Sequence, residues 1–489
     1  MSGNLILIFD VGTTGTRSVI FDAQGNEIGR SYEEYPKEKQ PPGVSEQNPN
    51  IWWQAIRNTS KNAIKAAKIN PKDLVGISAC FFRATTAAID NKGNVLYPAI
   101  TWMDERKSES AEKHADLIGE LRRAINRILW IKDNKPDIFE KTYKFIQPDS
   151  FIYKKLADVF ATDYSNAIYG ILDYDTLKLS SDLADQFGIP MDKWVDVYES
   201  GKVIGELTSE AASELNLPKG LPIIMGGADQ QCAALGLGTM IGEIKATTGT
   251  GTFVNAVTEK PVFDKTNILF TLPHVIKGEW VLEGAMPGTG AALKWFRDNF
   301  SERQCIEAEL QKVDPFKLLE EEAKEVPAGS GGLLIIPLYS FMKATIHGMG
   351  FGHNRSFWIR AIMESAAFSI RLYLSLIEPM THKIKELKID GGGTKSDLWT
   401  QIQADVTEKT VLIPKVVDGA AMGAAILGFL GTKNYGTVVD AVNSMVKFIG
   451  RKEPNPANKK VYKKLFRVFE SETITIHGKK RITGKIGME

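Results

Sequence analysis

A four-residue sequence, Thr-Thr-Gly-Thr, occurs once in each half of this chain of 489 residues. The first copy, Thr13-Thr14-Gly15-Thr16, follows the apolar residues 5–9, and the second, Thr247-Thr248-Gly249-Thr250, lies almost half a chain length later. Strand-like residues flank both copies. A Gly/Thr turn between strands points backbone N–H groups and hydroxyls at one spot, which suits a phosphate. One such turn in each half predicts a duplicated fold that binds a nucleotide.

The length predicts two domains, because a single hydrophobic core rarely serves so long a chain. We place them at residues 1–241 and 242–489, since the second meander begins near Gly242.

Lys and Arg together number 60 and Asp and Glu 59, so the charge balance supports neither a nucleic-acid partner nor an anionic membrane. No apolar run approaches the length of a membrane-spanning helix. Three scattered cysteines and the lack of a basic leader predict a cytoplasmic protein.

The pattern of apolar residues predicts mixed sheets covered by helices. A continuous apolar run at residues 5–9 reads as a strand buried on both faces, and residues 18–22 and 27–32 continue it as an antiparallel meander. Residues 420–425 form a segment of small side chains that would let another backbone come close. The remaining predicted elements are strands at 74–79, 85–89, 253–257 and 386–389, and helices starting near Asn48, at 357–374 and after Ser396.

Two aspartates stand where a phosphate-transferring site needs a carboxylate. Asp10 enters the first Gly/Thr turn, where it could hold Mg²⁺ through water, and Arg17 just beyond the turn could pair with phosphate. Asp229 follows two glycines shortly before the second turn, where it could deprotonate an attacking hydroxyl. The structural alternatives are an exposed turn cap for Asp10 and a helix cap for Asp229.

Two further groups of residues are candidates for binding small molecules. Three consecutive glycines, 391–393, stand between a strand and a capped helix, where the backbone could approach a bulky ligand such as adenosine; a generic strand-to-helix turn is the alternative. Arg83, Trp102 and Asp104 lie near predicted strand ends. An arginine, an aromatic ring and a carboxylate suit a polyhydroxylated ligand, although each could equally be structural.

Several motifs in this order resemble the FGGY carbohydrate kinases, of the sugar kinase/actin/chaperone superfamily, and the resemblance runs along nearly the whole chain. Xylulokinases, glycerol kinases and autoinducer-2 kinases are the branches that the motifs resemble. The matching segments are residues 9–17, 43–53 (GVSEQNPNIWW), 97–106, 130–167, 227–231, 248–251, 360–368 and 391–399.

The resemblance implies an α/β fold of two actin-like (ribonuclease H-like) domains, each a mixed five-stranded sheet flanked by helices, with a catalytic cleft between them. It implies that ATP and Mg²⁺ are used, that the sugar or polyol binds mainly to the first domain, and that ATP binds mainly to the second. It also allows a homodimer. The implied roles are catalysis for Asp229; metal binding for Asp10 and Asp229; nucleotide binding for Thr13, Thr14, Arg17, Thr248, Gly249, Thr250, Gly392, Gly393 and Lys395; and acceptor binding for Arg83, Trp102, Asp229 and Gln230, with Asp104 added from its own pattern.

The chain departs from the family where the acceptor would bind. Arg83 is similar to the arginine of glycerol and autoinducer-2 kinases, but glycerol kinases follow it with Glu, and here Ala84 stands instead. Residues 117–129 run straight through, which predicts a shortened loop where the family has a substrate lid with a tyrosine. These departures favour a small polyol or open-chain ketose and leave the acceptor open.

Two other functions stay open on the sequence. A non-catalytic sugar or nucleotide sensor could keep the same fold. An actin- or chaperone-like ATPase with a protein partner would hydrolyse ATP without a sugar, and it would need a peptide-binding domain, which no segment resembles.

Overall fold

The computed structural model describes residues 4–36, 39–119, 121–337 and 343–483, with side chains to residue 473. The chain forms two compact units. The first contains the described residues of Met1–Gly238 together with Leu272–Trp280 and Asp418–Val446, and the second contains those of Thr239–Thr271, Val281–Val417 and Lys447–Glu489. Two later segments thus belong to the first unit. The domain boundary between residues 241 and 242 and the cleft stay predictions.

The chain up to Gly238 contains thirteen described strands and ten described α-helices. The strands are β1 Leu5–Val11, β2 Gly15–Asp22, β3 Glu27–Glu34, β4 Glu46–Gln47, β5 Leu74–Phe81, β6 Thr86–Ile89, β7 Val95–Ile100, β8 Lys144–Ile146, β9 Ala161–Asp163, β10 Asp196–Tyr198, β11 Val203–Glu206, β12 Pro222–Ile224 and β13 Gly227–Ala228. The helices are α1 Asn50–Ala67, α2 Glu109–Lys113, α3 Ala115–Ile118, α4 Arg123–Asn134, α5 Pro136–Lys141, α6 Pro148–Ala157, α7 Tyr164–Ala167, α8 Ser181–Phe187, α9 Ser209–Leu215 and α10 Asp229–Gly236.

The described residues that follow continue the alternation of strands and helices. The strands are β14 Ile244–Thr248, β15 Thr252–Thr258, β16 Phe270–Pro273, β17 Trp280–Met286, β18 Leu334–Pro337, β19 Ala344–His347, β20 Glu386–Asp390, β21 Thr410–Pro414 and β22 Phe448–Lys452. The helices are α11 Thr289–Phe300, α12 Glu302–Gln311, α13 Pro315–Lys324, α14 Arg355–Ile377, α15 Asp397–Thr407, α16 Gly419–Gly431, α17 Val438–Met445 and α18 Lys459–Thr483. Within the described part of the chain, no helix is both long and apolar enough to cross a membrane.

The same five-strand arrangement occurs twice. One sheet has the order β11-β12-β5-β1-β2-β3, with β13 also paired to β5, and the other has the order β16-β17-β15-β14-β20-β21-β22. In the first, β1 is antiparallel to β2 and parallel to β5; in the second, β14 is antiparallel to β15 and parallel to β20. The five strands predicted for each sheet are present. In the first sheet β11 adds a strand at the edge and β13 adds a second pairing to β5, whereas β16 and β22 add a strand at each edge of the second sheet. Smaller sheets are β4-β7-β6-β8, β9-β10 and β18-β19.

Strand β1 is buried on both faces, which explains its unbroken apolar sequence. Ile6, Leu7, Ile8 and Phe9 are all fully buried. Leu7 and Phe9 belong to a hydrophobic cluster that includes the inner face of α1. On the other face, α16 lies so close that a Cβ at Gly428 would be 2.1 Å from Cδ1 of Ile6. A strand covered in this way needs apolar side chains at every position rather than at alternate ones.

Helices α10 and α16 of the first unit touch backbone to backbone. A Cβ at Gly423 would lie 1.8 Å from the carbonyl oxygen of Cys232, and one at Gly236 would lie 1.9 Å from that of Gly419. This confirms the close approach predicted from the small residues 420–425. Because α10 begins at Asp229 and α16 is capped by the side chain of Asp418, the contact fixes both aspartates.

Residues 117–129, where the sequence predicts a shortened loop, do not form one continuous helix. Helix α3 ends at Ile118, Gly119 takes the left-handed φ of 52°, and α4 begins only at Arg123. Glu120 lies outside the described residues. Glycine permits this φ without strain, so the chain changes direction there.

Replacing Gly423 by Ala should destabilise the first unit by about 1–3 kcal/mol or more, because the backbone of α10 must move to admit the methyl group. Urea unfolding followed by circular dichroism would measure the loss. Gly436→Ala is the matched control in the same segment, since a Cβ there meets nothing within 4 Å. Equal stability of the two variants would contradict the described contact.

Candidate active site

Three adjacent strands of the first sheet end at the same edge and carry the candidate catalytic groups. Strands β1 and β13 both run parallel to β5, and Asp10 and Gly227 both pair with Cys80 from its two sides. Arg83 follows β5 and Asp229 follows β13. The register therefore brings Asp10, Arg83 and Asp229 to one end of the sheet, although they are far apart in sequence.

Asp10 is held by two neighbours and is not the exposed turn cap of the structural alternative. Arg17 Nη1 donates to Asp10 Oδ2 at 2.8 Å, and the Cys80 thiol donates to Oδ1 at 3.5 Å. The residue is 5% exposed. Arg17 also lies 3.8 Å from Asp418 Oδ2, so its charge is shared between two carboxylates.

The surroundings of Asp10 make its charged form less favourable than it is in water. Burial raises the pKa of Asp10 to about 6; the negative charges of Asp418 and Asp229 add to the rise, and Arg17 opposes it. A buried carboxyl group whose pKa is raised by neighbouring negative charges is one whose charged form a divalent cation would stabilise.

The turn that presents Asp229 is fixed by contacts that only small residues allow. A Cβ at Gly226 would lie 1.6 Å from the carbonyl oxygen of Ala79, and its N–H donates to the hydroxyl of Tyr153 at 2.8 Å. The N–H of Ala228 donates to Ser165 Oγ at 2.9 Å. Asp229 then opens α10 as its first residue, not as its cap, and its side chain is 29% exposed.

Behind that turn, Asp163 is a fully buried carboxylate. It accepts hydrogen bonds from Ser165 Oγ at 2.5 Å and from Ser200 Oγ at 3.2 Å. Burial raises its pKa, and these hydrogen bonds oppose the rise. Asp163 thereby orients Ser165, and Ser165 in turn holds the backbone just before Asp229.

Arg83 lies directly against Asp229. Its Nε is 3.3 Å from Asp229 Oδ1, and its Nη1 donates to Gln231 Oε1 at 3.4 Å. The next residue, Ala84, has a φ of 55°, a conformation that a residue with a side chain seldom adopts. Such an outlier beside a charged pair is typical of a functional site.

The first Gly/Thr turn is tied to Trp102. Trp102 Nε1 donates to Thr13 Oγ1 at 2.9 Å, and Gln47 Nε2 donates to the Thr13 carbonyl oxygen at 2.8 Å. Thr14 is exposed at the tip of the turn, and its carbonyl oxygen accepts from the N–H of Tyr35 at 2.9 Å. The structure thus joins a predicted phosphate loop and a predicted acceptor residue.

Asp104 is a structural residue, contrary to the role expected from its pattern. Its side chain is 3% exposed, Arg106 Nη2 donates to Oδ2 at 2.7 Å, and the N–H of Ser45 donates to the same oxygen at 2.8 Å. Arg106 also binds Glu46 at 2.7 Å. A carboxylate so fully engaged has no free face for an acceptor, and we do not assign Asp104 to binding.

The second Gly/Thr turn lies in the second unit, against the start of α11. A Cβ at Gly290 would lie 1.6 Å from the carbonyl oxygen of Gly249. The N–H of Ala291 donates to the carbonyl oxygen of Thr250 at 3.0 Å. Thr250 is exposed, whereas Thr248 is buried and accepts from Gln403 Nε2 at 3.4 Å. The loop therefore presents Gly249 and Thr250 beside the amino end of a helix, where anions are stabilised.

The glycine triplet packs on that same turn. A Cβ at Gly391 would lie 2.6 Å from the carbonyl oxygen of Thr248, and one at Gly393 would lie 3.0 Å from its Cγ2. A Cβ at Gly392 would meet nothing within 4 Å, and both Gly392 and Lys395 are exposed. The triplet and the turn therefore form one continuous surface in the second unit.

An enclosed cavity of about 30 Å³ in the first unit is separate from these groups. Thr86, Gln147 and Trp194 line it, and Thr86 Oγ1, Gln147 Oε1 and Trp194 Nε1 find no partner among the described residues. A cavity of this size has room for water and is too small for a sugar or a nucleotide.

Sequence reasoning missed several residues at these sites. The side-chain amide of Gln231, which follows the predicted Gln230, lies against Arg83, and the centre of the Tyr169 ring lies 5.8 Å from the Arg83 guanidinium carbon. Asp418 faces Arg17. No local signal marks Tyr169 or Asp418, whereas Gln231 stands in the segment already selected around Asp229.

Comparison with known proteins decides the family. Residues 5–236 match the N-terminal domain and residues 244–432 the C-terminal domain of the FGGY family of carbohydrate kinases. The chain belongs to this family. It is a carbohydrate kinase, an enzyme that transfers phosphate from ATP to a hydroxyl group. The recognition from sequence motifs is confirmed.

Three relatives are similar along nearly their whole length. The kinase is 31% identical to an autoinducer-2 kinase from Photorhabdus laumondii, over 95% of this chain and 93% of the relative. It is 32% identical to a glycerol kinase from Thermococcus gammatolerans, over 90% and 92%. The crystal structure of xylulose kinase from Rhodospirillum rubrum superposes with a TM-score of 0.81 at 25% identity, over 98% of this chain and 100% of that one. The actin-like α/β fold is confirmed, and these relatives give no support to the non-catalytic alternative.

The raised pKa of Asp10 predicts how stability depends on pH. Since about 6 lies above the ordinary 3.8, the stabilising contribution of Asp10 is complete below pH 3.8 and is lost as the pH rises through 6. At pH 7.5 the cation-free Asp10→Asn variant should be more stable than the unmodified kinase by up to about 3 kcal/mol, and the gap should close near pH 4.

Chemical unfolding at pH 4, 6 and 7.5 in the presence of a chelator tests this. Asp116→Asn, at an exposed position of α3, controls for the change in net charge. A difference between Asp10→Asn and the unmodified kinase that stays constant across this range would show that Asp10 titrates normally.

Proposed function

We propose that this kinase phosphorylates a hydroxyl of a small polyol or open-chain ketose, with Asp229 as the general base. The observation that carries the proposal is the pair of Asp229 and Arg83, 3.3 Å apart at the end of β13 and β5. Asp229 keeps 29% of its side chain exposed, so a substrate can reach it, whereas Asp10 is almost fully buried.

In the proposed reaction, Asp229 accepts the proton of the acceptor hydroxyl while its oxygen attacks the γ-phosphorus of ATP. The bond between that phosphorus and the bridging oxygen of the β-phosphate breaks, and ADP leaves with the electron pair. Arg83 orients Asp229 and hydrogen-bonds the acceptor. Positioning and charge stabilisation supply most of the catalysis in phosphoryl transfer.

The acceptor is proposed from the binding groups in the first unit. Trp102 offers an apolar ring, and Arg83 and Gln231 offer hydrogen-bond donors. Ala84 supplies no carboxylate, so a second acceptor of substrate hydroxyls is missing at that point. The relatives are named for autoinducer-2, glycerol and xylulose, and these compounds, with other polyols and ketopentoses, form the test panel.

ATP is proposed to bind through the turn and triplet of the second unit. Gly249 and Thr250 would contact phosphate, with the amino end of α11 adding its partial positive charge. Gly392, Gly393 and Lys395 would line the adenosine side. Because the Thr248 side chain is buried, we propose that it holds the turn in place rather than contacting phosphate. Thr13, Thr14 and Arg17 are proposed to contact phosphate from the first Gly/Thr turn.

The carboxylates fit a magnesium ion held through water. Within the described residues, no group of three or more His, Cys, Asp or Glu side chains is placed to hold a metal ion, so phosphate oxygens and water would supply most ligands. Asp10 and Asp229 would bind those waters, which fits the raised pKa of Asp10. Bound Mg²⁺ would neutralise phosphate charge.

We further propose that the kinase works in the cytoplasm and forms homodimers. The three cysteines, Cys80, Cys232 and Cys305, form no disulfide, which suits a reducing compartment. The dimer rests on the family resemblance alone. Light scattering of the purified protein would measure its mass against the 54.1 kDa of one chain.

Asp229→Asn should lower kcat by about 100- to 10,000-fold, the usual contribution of a general base, and should leave ATP affinity within a few-fold. ADP release with ATP, Mg²⁺ and each acceptor of the panel measures the first quantity, and calorimetry measures the second. Asp116→Asn serves as the control. Near-normal turnover of Asp229→Asn would reject Asp229 as the base, and ATP binding without turnover on any acceptor would favour the sensor.

Gly392→Ala should weaken nucleotide binding by about tenfold or more without loss of stability, because its Cβ would enter space open to a ligand. Gly391→Ala is the contrasting variant. Its φ of 86° and the contact with Thr248 predict a stability loss of about 1–3 kcal/mol. Calorimetric titration with ADP and thermal unfolding separate the two effects. Unchanged ADP affinity in Gly392→Ala would place the adenosine elsewhere.

A further inference from the structure

We propose that Tyr169 is a positioning residue for Arg83 and that, through Arg83, it sets the affinity for the acceptor. The inference rests on the proposed function and adds to it a residue that neither the sequence motifs nor the family match assigns. Tyr169 would supply, from another part of the chain, the aromatic side chain that the family carries in the lid before Trp130.

The Arg83 guanidinium has neighbours of two kinds. Its polar neighbours include Asp229 at 3.3 Å and Gln231 at 3.4 Å. Its central carbon lies 5.8 Å from the centre of the Tyr169 ring, within the range of a cation–π contact. The Arg83 side chain is 10% exposed. The ring therefore contacts a largely buried guanidinium that also contacts Asp229, and it occupies space into which the guanidinium would otherwise turn.

The backbone of Tyr169 is itself held in place. Its N–H donates to the Asn166 carbonyl oxygen at 3.3 Å, and its own carbonyl oxygen accepts from the N–H of Ala124 at 3.2 Å. A Cβ on the next residue, Gly170, would lie 2.8 Å from the ring of Trp194, so only glycine allows this close packing. The backbone that carries the Tyr169 ring therefore cannot shift without moving these neighbours.

Residues at the start of α4 hydrogen-bond to the segment that contains Tyr169 and Gly170. Arg122 Nη1 donates to the Gly170 carbonyl oxygen at 2.5 Å, and both of its terminal nitrogens lie 3.3 Å from that of Leu172. These residues belong to the stretch where the substrate lid was expected. The break between α3 and α4 therefore places Arg122 and Ala124 over the Tyr169 segment and fixes its ring beside Arg83.

The consequence concerns acceptor binding. An arginine held by a ring presents its N–H groups in one direction, whereas a mobile arginine must be ordered each time an acceptor binds. Loss of the ring should raise the acceptor KM roughly threefold to thirtyfold, the range of a partly buried cation–π contact. The KM for ATP should stay unchanged, because the nucleotide is proposed to bind elsewhere.

The test is a double-mutant cycle between Tyr169 and Arg83. Tyr169→Phe keeps the ring. Tyr169→Leu and Tyr169→Met remove it, and Met, which has about the volume of Leu, is unbranched and flexible enough to fill an irregular gap. Each is made in the unmodified kinase and in Arg83→Ala, with kcat and both KM values measured on the best acceptor of the panel. We expect Phe to behave almost as Tyr, the ring-less variants to raise the acceptor KM, and this rise to vanish in Arg83→Ala.

Three results would overturn the inference: an equal rise of the acceptor KM with and without Arg83, a Phe variant as impaired as Leu, or parallel rises of the acceptor and ATP KM values. Crystal structures of the Phe and Leu variants give a readout that does not need turnover. The Arg83 guanidinium should stay beside Asp229 with Phe and leave it with Leu. An unmoved Arg83 refutes the inference, whereas an inactive unmodified kinase refutes only the proposed function.

Discussion

The contact between the backbones of α10 and α16 is the constraint on which the first unit depends. Gly236 and Gly423 allow it, because any side chain at either position would overlap a carbonyl oxygen of the other helix. Two aspartates sit at the amino ends of these helices, Asp229 as the first residue of α10 and Asp418 as the cap of α16. Helix packing therefore sets where both charges lie relative to Asp10.

Asp10, Asp229 and Asp418 illustrate how a site for a charged ligand differs from a stable core. Burial and the neighbouring carboxylates disfavour the charged form of Asp10, and only Arg17 opposes them among the causes of its raised pKa. The fold tolerates this because the surrounding strand and helices are packed independently of the charge. A bound cation or protonation of Asp10 relieves the repulsion among these carboxylates. The free energy of this repulsion destabilises the free protein, and its relief adds to the affinity for the cation.

The surroundings of Arg83 in the first unit come from several parts of the chain. Its neighbour in sequence is Ala84, and a break separates α3 from α4 in the stretch where the sequence predicts a shortened loop. The residues after that break pack on the segment that carries Tyr169. Side chains from distant parts of the sequence thus meet at Arg83.

Local sequence determined much of this protein. The apolar run of β1, the Gly/Thr turns, the capped helix after Ser396 and the order of the motifs predicted the doubled α/β architecture, the family, and Asp10, Arg83 and Asp229, because strand burial, turn chemistry and cap formation depend on neighbouring residues. Three features were decided by the tertiary structure alone. Asp104 forms an ion pair with Arg106, Gln231 and Tyr169 contact Arg83, and residues 418–446 pack in the first unit. These outcomes depend on contacts between residues far apart in the chain, and their geometry exists only once the sheet register and the helix packing are formed.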